Sequence, residues 1–424
     1  MTIESRIPVG SGELDALNLA DPRMHTDYDL SEVWRHLRAN EPVYWHAETP
    51  RQPGFWMFTR HADVSSIYRD FTRFTSERGN VLETLLQGGD SAAGKMLAVT
   101  DGPRHAELRK TLLKPFSPRA LEMIVKRVRH STNRLLVDAI NNGRSDFAGD
   151  VAARIPLATI CDLLGVPEGD RNYILSQTSS ALSSAESERK AADSWSAKSE
   201  LLLYFADLVR ARRGAPQTDL ISLLSAHQVN GAGLSDDEIM LNCYSLILGG
   251  DETARLSMIG AVLALAENPA QWRALKHGNV TLESSVEEVL RWTTPAMHSG
   301  RTATENVTIG HRTIKKGDIV TIWNVSANRD EREFDTPDQL RLDRSPNRQL
   351  SFAHGPHFCL GAYLARMELG ALLDGLRTFV SDITVTGPAK RIYSNFLCGF
   401  SSLVVDFVPD KQNIELTSRA EIVG

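Results

Sequence analysis

This sequence predicts a single, mainly helical α+β domain with small β-sheets, and three observations carry that prediction. The first is a run of about 32 residues between a capping box, Ser235-x-x-Glu238, and the stop signal Asn268-Pro269. At the rise of an α-helix it is roughly 48 Å long, enough to cross the molecule. The second is a helical stripe of Ala365, Leu369, Leu372, Leu376 and Phe379. The third is that strand signals are short and scattered, at 43–46, 55–59 and 306–323. With 424 residues, 42% of them hydrophobic, the chain can bury one large core. No repeat or low-complexity tract divides it.

Residues 1–27 read as an N-terminal extension and 409–424 as a polar tail, flanking a domain at 28–408. Leu30, Val33, Trp34 and Leu37 stand at helical spacing, so 28–40 is predicted helical. The turn signal Pro53-Gly54 separates the first two strands, and 61–69 is another short helix. Residues 77–100, with Gly79, Gly88, Gly89 and Gly94, read as a loop long enough to be a lid or binding loop. In the next segment His105 and Arg109 lie four apart and share one helix face, for which a solvated basic face is the plain reading. Residues 120–165 are expected to continue as helix, and 167–213, serine-dense at 176–187, to form a helical pair over the site. Gly310 and Gly317 mark the turns of 306–323, and a last strand pair is expected near 402–407.

A net charge of −6 gives no support to nucleic-acid binding. Cys161, Cys243, Cys359 and Cys398 are far apart, without secreted-framework or metal-site spacing, which points to a reducing cytoplasm. The first residues lack the apolar core of a signal peptide. The longest apolar stretches fall far short of the roughly 20 residues a membrane span needs. A monomer off the membrane is expected.

Two stretches break local rules. Gly249-Gly250-Asp251-Glu252-Thr253 lies mid-way along the long helix. Each interior glycine costs about 1 kcal/mol against alanine, and a buried acid adds to that. Such a conflict marks either a functional site or a kinked core helix. The other stretch is 351–368, SFAHGPHFCLGAYLARME, with Phe352, Gly355, Cys359 and Gly361 in the order F-x-x-G-x-x-x-C-x-G. If Cys359 binds haem iron, its thiolate favours O–O cleavage, and a nearby helix start favours the anion. Gly355 and Gly361 would let the backbone turn sharply and approach a flat macrocycle, Phe352 would shield the sulfur, and His357 would donate to a propionate. Two other readings stay open here: a small buried cysteine, and a metal cluster with His354 and His357 that lacks a convincing fourth ligand.

The cysteine loop resembles the haem-binding signature of the cytochrome P450 family, particularly its soluble bacterial members. The resemblance spans about 380 residues, and its parts stand in the family's order. One departure is Ala353, where many relatives carry glycine; alanine is small enough that no consequence is expected. The resemblance implies the P450 fold, with haem b between the long helix and the cysteine loop and Cys359 as axial ligand. His105, Arg109 and Arg301 would bind propionates. Gly249 and Gly250 would form an oxygen pocket, with Glu252 the acid of a proton relay and Thr253 its hydroxyl. Ala254 replaces a second threonine common in relatives. Glu288 and Arg291, an E-x-x-R pair too common to mean much alone, would join Arg344 in a buried structural triad. Ser245, Leu248, Gly249, Met297, Ser299, Phe396, Leu397 and the 77–100 loop would line the substrate pocket, with His298 nearby as a polar handle.

The activity so implied is monooxygenation of a medium-sized, largely apolar small molecule, by hydroxylation or epoxidation, in bacterial secondary metabolism. The substrate is free or tethered to a carrier protein. Electrons would come from NAD(P)H through a ferredoxin reductase and a ferredoxin, docked beside Lys110, Lys114 and Arg119. The alternatives are a peroxide-driven peroxygenase, which needs no acid–threonine relay, and a non-catalytic haem sensor or metal-binding protein.

Overall fold

The computed structural model describes Leu14 and residues 17–50, 52–181, 188–229 and 232–411. Most of the expected N-terminal extension, the tail beyond 411 and residues 182–187 lie outside the described residues. The long helix, Asp236–Glu267, is unbroken over 32 residues. Its capping box is formed: the Ser235 hydroxyl accepts from the Glu238 N–H at 3.2 Å, and the Glu238 carboxylate accepts from the Ser235 N–H at 2.8 Å. The helix ends at Asn268, and the next begins at Pro269. Ile239, Cys243, Ile247, Glu252, Leu256, Val262 and Ala264 are all buried, spread round its circumference, as in a helix packed on all sides.

Helices Arg154–Leu164, Arg171–Ala181 and Glu188–Gly214 pack against the long helix, as do Leu282–Thr293 and Ala362–Phe379. In Ala362–Phe379 the predicted stripe is the inner face: Leu369, Leu372, Leu376 and Phe379 are buried. The helix expected within 28–40 runs Ser31–Asn40, and the next spans His61–Arg69. A five-stranded sheet lies to one side, in the order Val43–His46, Phe55–Phe58, Ile319–Trp323, His298–Ala303, Phe74–Thr75. Its first two strands are antiparallel, and Ile319–Trp323 runs parallel to Phe55–Phe58.

Two sequence expectations are corrected. Residues 120–165 are not one helix. Helix Pro118–Asn141 stops at Gly143, held at φ 74°, and a short strand, Ser145–Asp146, and a π-helical turn precede Arg154–Leu164. The last strands, Phe400–Ser402 and Val404–Pro409, do not pair with each other. The former pairs with Lys390–Arg391, the latter with Val380–Val385 and Ser145–Asp146. The second partner lies more than 200 residues away, and a local pattern carries no signal for it. Among the described residues no helix is long and apolar enough to cross a membrane.

Candidate active site between the long helix and the cysteine loop

The loop before Cys359 is closed by its own backbone. The Cys359 N–H donates to the Phe352 carbonyl at 2.9 Å, and the Phe358 N–H to Gly355 at 3.0 Å. Gly355 has φ +72°, and a Cβ there would lie 2.6 Å from the Tyr68 carbonyl and 3.1 Å from the Arg69 Cα. Its close approach is therefore to the helix His61–Arg69, a protein backbone, and not to the site's interior. Gly361 has no such crowding; an added Cβ would meet only the Phe116 ring, at 3.9 Å. Phe352 is buried with the Arg366 guanidinium 4.6 Å over its ring, and lines the same cavity as Cys359.

Ala353 does matter. Its φ of +60° puts an L-residue in the left-handed region, at about 1–2 kcal/mol. Ala353→Gly is therefore expected to stabilise the protein by about 0.5–1 kcal/mol after the added unfolded-chain entropy. Urea unfolding checks this; an unmoved midpoint would mean the turn is not strained.

A cavity of about 340 Å³ separates this loop from the long helix. Cys359, Phe352 and Gly361 line one side and Gly249, Gly250 and Thr253 the other, with His105, Arg109, Arg301 and His357 around it. Of the expected substrate contacts, Ser245, Gly249 and Ser299 are on its wall, with Leu97 and Ala98 from the 77–100 loop. Leu248, Met297, Phe396 and Leu397 are not among the lining residues. Leu248 is one residue off the Ser245–Gly249–Thr253 face, so it turns about 100° away and packs on the main core. Met297 and Leu397 are buried, and the Met297 N–H is bound to the Phe396 carbonyl at 2.8 Å. His298 faces opposite to Ser299 and Arg301, as strand alternation requires, and its Nε2 accepts from the Leu82 N–H.

The titratable groups around the cavity are basic or thiol apart from the Tyr68 phenol and Glu368, a buried carboxyl that burial pushes up to about 8. The His105 Nε2 is buried without a partner, and burial, with His357 and Arg109 nearby, pushes the ring down to about 4. The Arg301 head is buried, hydrogen-bonded to the Gly300 carbonyl at 2.6 Å, and Arg109 donates to the Phe358 carbonyl at 2.6 Å. Among the described residues neither arginine has a carboxylate partner. His357 has one: its Nε2 lies 2.6 Å from Asp101, so a propionate contact from this ring would have to use Nδ1. Cys359 opens onto the cavity. Burial of its surroundings raises the thiol, against the Gly361 N–H and the Arg109 and Arg366 charges, which lower it. Helix Ala362–Phe379 starts three residues later, so one N–H, not a helix end, addresses the sulfur directly. A coordinated metal cation would deprotonate it. An apolar slot with one thiol and unpaired cations at its rim fits a flat metal-bearing dicarboxylate such as haem.

On the opposite wall the Thr253 hydroxyl donates back to the Gly249 carbonyl at 2.8 Å, leaving its lone pairs for the cavity. Glu252 is buried off the cavity wall, paired with Arg255, and its Oε2 has no partner. Asp251 points elsewhere again, accepting from the Thr178 hydroxyl at 2.9 Å. Burial, then the Glu252 charge, pushes Asp251 up to about 7. A carboxyl raised on folding contributes stability below its unfolded value that is lost as pH rises toward the folded one. Asp251→Asn is therefore expected to add about 3–4 kcal/mol near pH 7, the gain vanishing toward pH 4. Melting temperatures across that range check it; a uniform gain or loss would refute the linkage.

The Glu288 triad is assembled and fully buried. Arg291 binds Glu288 through two hydrogen bonds of 2.8 Å, and Arg344 reaches it at 3.0 Å. Asn347 and the Arg341 N–H complete its acceptor sites. The remaining guanidinium donors go to the carbonyls of Asn328, Pro337 and Asp335, so each charge is satisfied. Sequence reasoning missed Asp101, Arg255, Asn242 and Glu368. Arg255 was legible as an i,i+3 partner of Glu252, and Asn242 as a polar residue seven before Gly249 on the same helix face.

The family model for cytochrome P450 matches residues 280–394. Cytochrome P450 NovI of Streptomyces niveus is 49% identical over 403 residues, covering 95% of this chain and 99% of that protein. This chain belongs to the cytochrome P450 family. The steroid C26-monooxygenase of Mycolicibacterium smegmatis is 31% identical, covering 89% of this chain and 90% of its own. The crystal structure of P450 OxyD, involved in the biosynthesis of vancomycin-type antibiotics, superposes with a TM-score of 0.84 at 33% identity, covering 93% of this chain and all of that one. The protein is thus a P450 monooxygenase, an oxidoreductase whose family implies haem, O2, redox partners and a small-molecule substrate.

Proposed function

We propose that this P450 binds haem b through Cys359 and oxygenates a medium-sized, largely apolar small molecule of bacterial secondary metabolism. The observation that carries the reading is the single cavity shared by Cys359, Thr253, the unpartnered His105 ring and the guanidinium groups of Arg109 and Arg301, which have no carboxylate partner among the described residues. When bound, haem supplies the reduction of O2 and the insertion of one oxygen atom into substrate, the other leaving as water. His105, Arg109 and Arg301 would hold the propionates of a bound haem. Phe352 keeps water from the sulfur. Gly249 leaves space beside the helix, since a Cβ there meets nothing within 4 Å, whereas a Cβ at Gly250 would press on the Ile160 side chain at 3.3 Å. Thr253 holds a water at its free lone pairs, and Glu252, turning from Arg255, resupplies the proton from solvent. Ser245, Ser299 and Leu97 orient the substrate. The domain takes in 28–408.

Reconstitution tests this. Purified protein with NAD(P)H, ferredoxin reductase and ferredoxin should oxygenate a substrate, while peroxide alone should support little turnover. The reverse outcome would make it a peroxygenase. Substrates are sought by optical titration of the ferric protein with polyketides, terpenoids and carrier-protein thioesters of amino acids, because displacing an axial water changes the spin state. The involvement of OxyD in antibiotic biosynthesis supports the choice of secondary metabolites.

The electron donor proposed is an acidic ferredoxin. A shallow depression of about 620 Å³ is lined by Arg109, Lys110, Leu113, Lys114, Gly355 and Pro356, on the cysteine-loop side. Arg119, on the following helix, is exposed and off this depression. Reversing Lys110 and Lys114 to glutamate is expected to slow reduction by about tenfold or more at low salt, with the difference shrinking as salt rises. Stopped-flow reduction measures it. Equal rates at all salt concentrations would leave the patch without a role.

A further inference from the structure

A polar side chain on a substrate-cavity wall is ordinarily read as a substrate contact. Asn242 lines this cavity, beside Ser245 and Leu246, but its amide is consumed by protein backbone. It is 2% exposed. Its Oδ1 accepts from the Leu97 N–H at 2.9 Å, and its Nδ2 donates to the carbonyls of Lys95 at 3.0 Å and Glu238 at 2.7 Å. Two of those three bonds run from the long helix to the 77–100 loop. Both amide donors and one acceptor site are used.

Beyond these bonds, Leu97 packs against the main core, and the rest of the segment is held mostly by itself. Ala92, Met96 and Val99 form a small cluster of their own, separate from the main core, with Ala98 and Leu241 packed against it. Lys95 also pairs with Asp237 at 3.5 Å, but both side chains are half exposed or more, where such pairs contribute little. Leu97 and Ala98 are the residues this segment presents to the cavity.

We propose that Asn242 is the positioning residue that fastens segment 92–99 as a wall of the substrate cavity, setting affinity for substrates long enough to reach it. The proposal rests on the reading of that cavity as the haem and substrate site. It makes Asn242 a determinant of binding, outside the oxygen chemistry of Thr253.

Haem-loaded parent, Asn242→Ala and Asn242→Asp decide the matter. Alanine removes all three bonds. Aspartate keeps an acceptor for Leu97 but sets an oxygen against the Lys95 and Glu238 carbonyls. Amide hydrogen exchange over 92–99 is expected to speed by about tenfold or more in both variants, with peptides of the cysteine loop and of 255–267 unchanged. In optical titrations the dissociation constant for phenylimidazole should rise about tenfold, while that for cyanide, too small to touch the wall, should not move. Unchanged exchange over 92–99 would overturn the proposal, as would equal weakening of both ligands. Failure of both variants to load haem would also overturn it, placing Asn242 in the folding core. A parent that shows no spectral shift with either ligand would instead refute the haem reading, and hydrogen exchange would still judge the clamp.

Discussion

Haem-loaded Cys359→Ser, reduced and exposed to carbon monoxide, is expected to lose the strongly red-shifted Soret band completely, and turnover with it. The sulfur is the one soft, anionic-capable ligand that faces the cavity between the two walls. Burial alone keeps it a thiol, so the thiolate depends on the metal, helped by the Gly361 N–H and the Arg109 and Arg366 charges. The variant should still fold. Cys359 opens onto the cavity, and the loop is closed by backbone bonds and by the Gly355 contact with the helix His61–Arg69. Cys359→His should bind haem through nitrogen, again without the red-shifted band. A band that survives either substitution would remove Cys359 as the axial ligand.

The second large effect is on coupling. Thr253→Ala removes a hydroxyl while leaving the helix whole, since the bond lost is a side-chain bond back to Gly249. NAD(P)H and O2 should still be consumed, with most of the flux appearing as H2O2 and product per NAD(P)H falling by about tenfold. Glu252→Gln removes a titratable group of the same size, so turnover itself should slow by about a hundredfold and show a larger solvent isotope effect. Because Glu252 is held by Arg255 off the cavity wall, the proposed relay requires a change of partner during each cycle. Arg255→Lys, which keeps the charge but loses the fork, should alter the pH profile of turnover with haem content unchanged. If Thr253 and Glu252 are merely structural, the mutants lose haem or stability, while the molecules that remain folded stay fully coupled. Product formed per NAD(P)H oxidised on haem-loaded protein separates the two. A tightly coupled Thr253→Ala would end the relay proposal.

What the chain determined by itself is what short-range chemistry encodes. The capping box of Ser235 and Glu238, the Pro269 stop, the stripe from Leu369 to Phe379 and the turns at Gly310 and Gly317 are local, and each stands where it was read. The cysteine loop was legible because its spacing is itself a contiguous structure. The triad was weaker in sequence, since Glu288 and Arg291 form an ordinary i,i+3 pair until Arg344, Asn347 and several backbone carbonyls converge on them. Only the tertiary structure decided which side chains share the cavity. A turn of 100° per residue separates Leu248 from Gly249, and strand alternation separates His298 from Ser299. Pairing of Val404–Pro409 with Ser145–Asp146, and the employment of His357 by Asp101, depend on contacts across more than 200 residues. Ala353 belongs there too. Its cost lies in a left-handed φ that the loop's closure imposes, and residue size alone does not reveal it.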